Sequence, residues 1–223
     1  MQLTLQHGLS ISDLETQFDR FVSEAKRLQE VFAGRIELFV GMETEYCDED
    51  YLAKSLALAK HYQLDYIVGS VHHVLGIPID FSLELYKVAV NAIGSTEALF
   101  LAYFDMMEKM INGIRPTVIG HFDLIRMFCP QQEMTPAIME AAHKAVRAGV
   151  ANQCLFEVNS SAIRKGLPTP YPLRDILQVI ILISIFKRKD DCCCYAVFLA
   201  GTFLCKTLTH ADYFGRGWAT HHL

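Results

Sequence analysis

The fold that we predict for this chain is decided by residues 66–73, which read YIVGSVHH. Their first half is short, apolar and β-branched, which is typical of a buried strand. Two histidines, His72 and His73, follow it. An imidazole at the end of a buried strand needs a hydrogen bond or a metal ion, and a single histidine there is more often structural. The stretch therefore predicts a strand that delivers imidazole groups to one end of a sheet.

Three further apolar runs also end beside polar side chains that can bind a metal ion or a phosphate. They are residues 36–41 before Glu43 and Glu45, residues 117–120 before His121 and Asp123, and residues 155–158 before Asn159. Segments with helical periodicity separate the runs, so we expect parallel strands joined by crossover helices. In barrels of this kind the carboxyl ends of the strands meet at one rim, where the chemistry is done.

The composition indicates a globular protein, because 52% of the 223 residues are hydrophobic and 20% are charged. The length suits one medium-to-large domain. A net charge of −5 gives no basic surface, so nucleic acid is not an expected partner. The first residues show no basic and apolar pattern of a secretion signal, so we expect a cytoplasmic protein. Cys47, Cys129 and Cys154 are then expected to be reduced thiols.

Local signals predict where several helices begin and end. Residues 12–15 form a capping-box pattern, and Gly34 is a plausible stop for the helix that follows. Gly94 is expected to divide a long helical stretch into two helices. Pro136 suits the first turn of a later helix, for which Gly149 is the expected stop.

Glu43, His72 and His121 are the candidate metal ligands. Glu43 and Glu45 stand two residues apart, so on a strand they share a face, although a solvated loop explains them equally well in isolation. Coincidence becomes a weaker explanation when three separate strands deliver a glutamate and two histidines. Carboxylate and imidazole ligands suit zinc, manganese or iron and do not form a calcium cage.

Asn159, Arg164 and Arg174 are candidates for holding a phosphate. An arginine binds an anion through two parallel hydrogen bonds, and an asparagine amide donates one more. A surface loop with ordinary solvated charges explains the same residues equally well when they are taken alone. Opposite a metal cluster, however, they suit the dianion of a phosphate monoester. The sequence contains no phosphate-binding P-loop, Rossmann glycine pattern or G-x-S-x-G elbow that would support a different chemistry.

Four ordered motifs resemble the histidinol-phosphatase branch of the PHP (polymerase and histidinol phosphatase) superfamily. They are GMETEY at 41–46, GSVHH at 69–73, IGHFDLI at 119–125 and EVNSSAIRKG at 157–166. The resemblance runs from about residue 10 to residue 178. It implies a distorted (β/α)7 TIM-like barrel that holds up to three divalent metal ions and hydrolyses L-histidinol phosphate to L-histidinol and phosphate, in histidine biosynthesis.

The resemblance also implies roles for individual residues. By motif position Glu43, His72 and His121 are similar to metal ligands of the family. The phosphate or substrate side is implied to include the four residues Arg164, Asn159, Arg174 and His73. No catalytic acid or base is assigned.

The two ends depart from the family pattern. A family member begins with a His-x-His strand and ends with an Asp-x-His strand, and both supply metal ligands. Neither motif is found here, so the expectation is an incomplete barrel over residues 1–178 and an atypical tail over 179–223. The tail is apolar without helical period, then charged, then rich in cysteine. We expect it to be poorly ordered or to pack loosely on the barrel, and not to complete it. An aberrant end, such as translated intron or an altered reading frame, explains it better than a membrane hairpin, so membrane association is not expected.

Three functional hypotheses follow from these patterns. The leading one is a metal-dependent histidinol-phosphatase that acts on a small phosphate monoester. Because the first and last metal-binding motifs of the family are not found, we expect the present form to release little or no phosphate. The second is another PHP-type phosphoesterase with a different substrate. The third is a non-catalytic barrel fragment. The sequence does not predict which metal is bound or whether the protein forms oligomers.

Overall fold

The computed structural model describes residues 10–186 and 197–199 of the chain. Helices alternate along the chain with short strands. The helices are α1 (Ile11–Val31), α2 (Glu49–His61), α3 (Leu83–Ile93), α4 (Thr96–Ile114), α5 (Pro136–Ala151), α6 (Ser161–Arg164) and α7 (Arg174–Phe186). The strands are β1 (Gly41–Glu45), β2 (Tyr66–Ser70), β3 (His73–Val74), β4 (Ile77–Pro78), β5 (Val118–Ile119), β6 (Leu155–Val158) and β7 (Val197–Leu199). One turn of 3-10 helix, Leu124–Arg126, follows β5.

Five of these strands form one parallel sheet in the order β1-β2-β5-β6-β7, and β3 and β4 form a small antiparallel hairpin. The register places Glu43 of β1 beside Val68 of β2. It also places Val68 beside Val118 of β5, so the carboxyl ends of these strands lie at one edge of the sheet. The α/β class with a parallel sheet and crossover helices is confirmed. Closure of the sheet into a barrel remains a prediction.

The hydrophobic core is built mainly on α4, which packs most extensively against α5. Apolar side chains recur along α4 at helical spacing and are buried: Leu99, Phe100, Tyr103, Phe104, Met107, Met110, Ile111 and Ile114. Complete burial of one large apolar side chain is worth about 1.5–3 kcal/mol. This core supports the sheet edge at which the polar residues of the site lie.

The predicted joint at Gly94 is confirmed. Gly94 ends α3 in the left-handed conformation with φ 102°, which costs glycine little because it has no Cβ. The next residue, Ser95, caps α4, and its Oγ accepts a hydrogen bond from the backbone N–H of Ala98 at 3.0 Å. Pro136 stands in the first turn of α5, as predicted.

Three local features lie at other residues than the sequence predicted. The α1 capping box is made by Ser10 and Asp13, two residues before the predicted pattern, because Asp13 hydrogen bonds back to the Ser10 backbone N–H at 2.8 Å. The first sheet strand is β1 and not residues 36–41, so Glu43 and Glu45 lie on the strand itself. Gly149 does not end α5, which continues to Ala151.

Gly149 instead allows α5 to pack closely on the sheet. A Cβ at this position would lie 2.5 Å from Cζ of Phe156 and 2.8 Å from Cδ1 of Ile119. Both neighbours belong to strands of the parallel sheet, so the absence of a side chain at Gly149 sets the distance between helix and sheet.

The prediction of an aperiodic segment after Gln178 is wrong for residues 179–186. They form the second half of α7, which packs against α5. Ile176, Ile180 and Ser184 are buried at a spacing of four residues. That stripe shows little contrast in the sequence because most of its neighbours are apolar as well.

A short strand from the tail also joins the sheet, since β7 pairs in parallel with β6. This result runs against the expectation of a tail that only packs loosely. The four tail cysteines, Cys192, Cys193, Cys194 and Cys205, lie outside the described residues. A domain division at Gln178 remains a prediction. Among the described residues, no helix is both long and apolar enough to cross a membrane.

Candidate metal centre

The side chains of Glu43, His72 and His121, called the metal trio below, converge at the carboxyl edge of the sheet. Glu43 lies on β1, His72 follows β2 and His121 follows β5. The Nε2 atoms of His72 and His121 are 3.3 Å apart. Glu43 Oε1 lies 3.2 Å from Nε2 of His121 and 3.6 Å from Nε2 of His72. The three ligand atoms therefore surround one small gap.

These separations fit a shared metal ion. Ligand atoms about 2.1 Å from one tetrahedral ion lie roughly 3.4 Å apart, close to each distance within the trio. The mixture of one carboxylate and two imidazoles also suits zinc, manganese or iron. The residues thus fit the kind of ion that the sequence predicted for them.

Glu43 is held in place by a neighbouring hydroxyl. Ser70 at the end of β2 is fully buried, and its Oγ donates to Glu43 Oε1 at 2.6 Å. The hydrogen bond with His121 has the largest effect on the pKa of Glu43. Together with the Ser70 hydrogen bond and the charges of His72 and His121, it lowers that pKa to about 2 against the opposing effect of burial. Glu43 is therefore an anion at neutral pH and is ready to bind a cation.

His121 adopts a backbone conformation that is uncommon for a residue with a side chain, with φ 23°. Its backbone N–H donates to Oε2 of Glu157 on β6 at 2.8 Å, which supports this conformation. Gly120 before it lets β5 approach β2, because a Cβ there would lie 2.8 Å from Oγ of Ser70. The Nδ1 atom of His121 is buried and has no hydrogen-bond partner among the described residues.

Glu45 and His73 form a second polar group beside the trio. Glu45 Oε2 lies 2.8 Å from Nδ1 of His73, and it accepts a hydrogen bond from the backbone N–H of His72 at 3.3 Å. Burial alone would raise the pKa of Glu45, but the hydrogen bonds with His72 and His73 outweigh it and lower that pKa to about 2. Burial alone would lower the pKa of His72, but nearby carboxylates raise it above its usual value.

The residues predicted to hold a phosphate occupy different surroundings. Asn159 is half-buried and joined to the site, since its Nδ2 donates to Glu157 Oε2 at 3.0 Å. Its backbone also pairs with that of Tyr171. Arg164 in α6 and Arg174 at the start of α7 are exposed. Neither guanidinium forms an ion pair or a side-chain hydrogen bond with another part of the chain that the structure describes, so both are free to take an anion.

Two structural supports of the site were not predicted: the contacts of Glu157, and the pairing with Arg126 of Asp123, which was expected only as a strand-end residue able to bind a metal ion or a phosphate. Glu157 supports both His121 and Asn159, and its only signal was a charge within the apolar run LFEV. Asp123 and Arg126 form a buried ion pair with an Nε–Oδ2 distance of 2.7 Å. Arg126 also donates to the carbonyl of Pro170 at 2.8 Å, which ties the loop after β5 to the loop before α7. The only sequence signal for this ion pair was an aspartate three residues before an arginine.

A family model named PHP domain matches residues 4–161, the part of the chain that carries the metal trio. This chain belongs to the PHP domain family. Among curated proteins, this PHP domain is 38% identical over 179 residues to the probable histidinol-phosphatase of Schizosaccharomyces pombe. The match covers 78% of this chain and 58% of that protein. It is 30% identical over 201 residues to the histidinol-phosphatase of Saccharomyces cerevisiae, covering 76% of this chain and 60% of that protein. The chain thus spans about three-fifths of the length of these two relatives.

Two solved structures share the fold of this PHP domain. One, assigned as the histidinol phosphatase HisK of Listeria monocytogenes, aligns with a TM-score of 0.67 at 22% identity over 78% of this chain and 69% of that chain. The other is the histidinol phosphate phosphatase of Lactococcus lactis in complex with zinc, L-histidinol and phosphate. It aligns with a TM-score of 0.57 at 15% identity over 75% of this chain and 62% of that chain. At these identities the likeness supports the fold alone.

Proposed function

We propose that this PHP domain belongs to a metal-dependent histidinol-phosphatase, which hydrolyses L-histidinol phosphate to L-histidinol and phosphate in histidine biosynthesis. The observation that carries the proposal is the convergence of Glu43, His72 and His121 from three separate strands, with ligand atoms 3.2–3.6 Å apart. The names of its curated relatives support the choice of substrate. A small phosphate monoester as partner and a cytoplasmic location are parts of the same proposal.

The metal trio would hold a divalent ion such as zinc, manganese or iron, in a family site that holds up to three. A bound ion would lower the pKa of a coordinated water and offset the negative charge of the phosphoryl oxygens. Ser70 keeps Glu43 aimed at the gap through its 2.6 Å hydrogen bond. Glu157 fixes the backbone of His121, so that Nε2 of His121 faces the other two ligand atoms.

The remaining predicted residues would bind the substrate. Arg164 and Arg174 are exposed cations without a partner among the described residues, which suits the capture of a phosphate dianion. Asn159 lies beside the trio through Glu157 and would add an amide hydrogen bond. Nδ1 of His73 lies 2.8 Å from Oε2 of Glu45, and the other ring nitrogen of His73 would contact the substrate.

The test is phosphate release by the purified 223-residue chain loaded with manganese or zinc. We expect release from histidinol phosphate, however slow, to be faster than release from a generic aryl phosphate. It should disappear with a chelator or in His121→Ala, and it should persist in His61→Ala, which removes an exposed histidine away from the trio.

Other outcomes of this assay point to the alternative hypotheses. Equal rates on all phosphate esters would favour a PHP phosphoesterase with another substrate. A chain that neither releases phosphate nor binds metal at the trio would favour a non-catalytic role and overturn the proposal.

A further inference from the structure

Glu45, Cys47 and His73 bring three different metal-binding groups together beside the metal trio. The carboxylate oxygen, the thiol sulfur and an imidazole nitrogen all lie within 4.8 Å of one another. None of these three residues belongs to the trio, and the trio itself contains no thiol. We propose that Glu45, Cys47 and His73 form a second cation site, one that takes a thiophilic divalent ion such as Zn²⁺ or Co²⁺.

Each of the three groups is positioned by a separate piece of the fold. Glu45 is the last residue of β1, and His73 opens the β3–β4 hairpin. Cys47 lies in the loop after β1, directly before Asp48, whose side chain caps α2 by accepting from the backbone N–H of Tyr51 at 2.8 Å. The backbone at Cys47 is therefore held by the capped helix start that directly follows it.

The partial exposure of the three side chains allows an ion to reach the cluster. The side chains of Glu45 and His73 are 17% and 26% exposed, whereas Cys47 is exposed. An ion would approach from the solvent side past Cys47 and meet a carboxylate and an imidazole that already lie 2.8 Å apart. Side-chain rotations would have to bring the three atoms, which lie within 4.8 Å of one another, to bonding distance from one ion, since Zn–S bonds are about 2.3 Å and Zn–N bonds about 2.0–2.1 Å.

The ligand chemistry restricts which ions the cluster takes. A thiolate together with an imidazole and a carboxylate favours zinc or cobalt over magnesium or calcium, which prefer oxygen ligands alone. Binding releases the Cys47 thiol proton to water as the sulfur–metal bond forms, and no oxidant or reductant is needed. Three protein ligands leave a fourth position for water. Glu45 also accepts from the His72 backbone N–H at 3.3 Å, so the ion would lie next to the trio.

Cobalt titration of the full chain tests the proposal, because a thiolate bound to Co²⁺ gives a near-ultraviolet charge-transfer band that oxygen and nitrogen ligands do not. We expect the band in the wild type and its loss in Cys47→Ser. The variant His73→Ala should weaken cobalt binding at this band by at least about tenfold, the scale on which loss of even an outer partner weakens metal sites. This readout does not depend on catalytic activity.

Three control variants test whether the charge-transfer band arises from other thiols or depends on the metal trio. Cys129→Ser is the matched control, since Cys129 is a free cysteine outside the cluster. A chain in which the four tail cysteines are serines tests for binding by those thiols, and His121→Ala disables the trio. We expect the band in all three. A wild type without the band, or a band that Cys47→Ser leaves unchanged, would overturn the proposal.

Alkylation provides a second measurement that does not require a variant to fold. Zinc should slow the labelling of Cys47 by iodoacetamide in the wild type, as read from the mass of the peptide that contains it. The labelling of Cys129 in the same sample should be unaffected. Equal labelling of Cys47 with and without zinc would contradict the proposed site.

Discussion

At the scale of single residues, the side chains that orient the metal trio matter as much as the trio itself. Outside the trio itself, Glu43 accepts a hydrogen bond from Ser70, and the backbone N–H of His121 donates one to Glu157. The trio was predictable from the sequence because each member follows or ends an apolar run. Its supports were not predictable, because a serine or a glutamate within a strand gives no sign of the neighbour that it will meet across the sheet.

The variant Ser70→Ala should weaken metal binding at the trio by about tenfold, since it removes the hydroxyl that orients Glu43. The measurement is zinc affinity by competition with a chromophoric chelator. Ser55→Ala is the matched control. Ser55 is also buried and also hydrogen bonds to β1, but it accepts from Thr44 at 2.9 Å on the opposite face of the strand. Equal losses in the two variants would point to a general effect on the fold.

The variant Asp123→Ala should destabilise the protein by about 3–5 kcal/mol, because it leaves the buried guanidinium of Arg126 without its charged partner. Urea unfolding measures this free energy. Asp105→Ala removes the partner of Lys109 in an exposed pair and should cost less than about 1 kcal/mol. A small effect at both positions would show that Arg126 can reach water or another partner.

At the scale of the elements, most helices were predicted from the sequence, but several of their ends were predicted at the wrong residues. The joint at Gly94 and Ser95 was clear because a glycine and a capping serine stand together. The start of α1 was misplaced because Ser10 and Ser12 both precede Asp13 and only the structure shows which one caps. The second half of α7 was missed because its buried stripe lies among residues that are themselves apolar.

Two helical glycines should respond differently to substitution by alanine. In α5, Gly149→Ala should destabilise the protein by about 1–3 kcal/mol, because the new Cβ meets Phe156 and Ile119 of the sheet. In α4, Gly113→Ala meets only the flexible end of Leu52 at 2.9 Å, so the gain in helix propensity of about 1 kcal/mol should prevail or balance the contact. The melting temperatures of both variants test these two predictions. A Gly149→Ala variant that is more stable than the wild type would contradict the close packing of α5 on the sheet.

At the scale of the whole molecule, the parallel sheet extends from β1 to the tail strand β7. The α/β class followed directly from the rhythm of apolar runs and helical segments. The addition of β7 did not, because a three-residue strand is too short to give an alternating pattern and its pairing with β6 is distant in sequence.

A chain that ends at Phe186 should show faster hydrogen exchange in β6, because β6 then loses its pairing with β7. Peptide-resolved exchange by mass spectrometry measures this. The peptide that covers β2 is the internal control, since β2 pairs with β1 and β5 in either chain. Unchanged exchange in β6 would mean that β7 contributes nothing to the sheet in solution.

The trio has a further consequence for how the protein folds. Glu43 and His121 are 78 positions apart along the chain, so their contact forms only after a long loop has closed. No short fragment of the chain can hold all three ligands, and an ion that binds them selects the folded state over the unfolded one. By mass action, an ion at one hundred times its dissociation constant adds about 2.7 kcal/mol to the free energy of unfolding. Occupancy of the trio therefore reports the fraction of molecules in which the three strands that carry its ligands have come together.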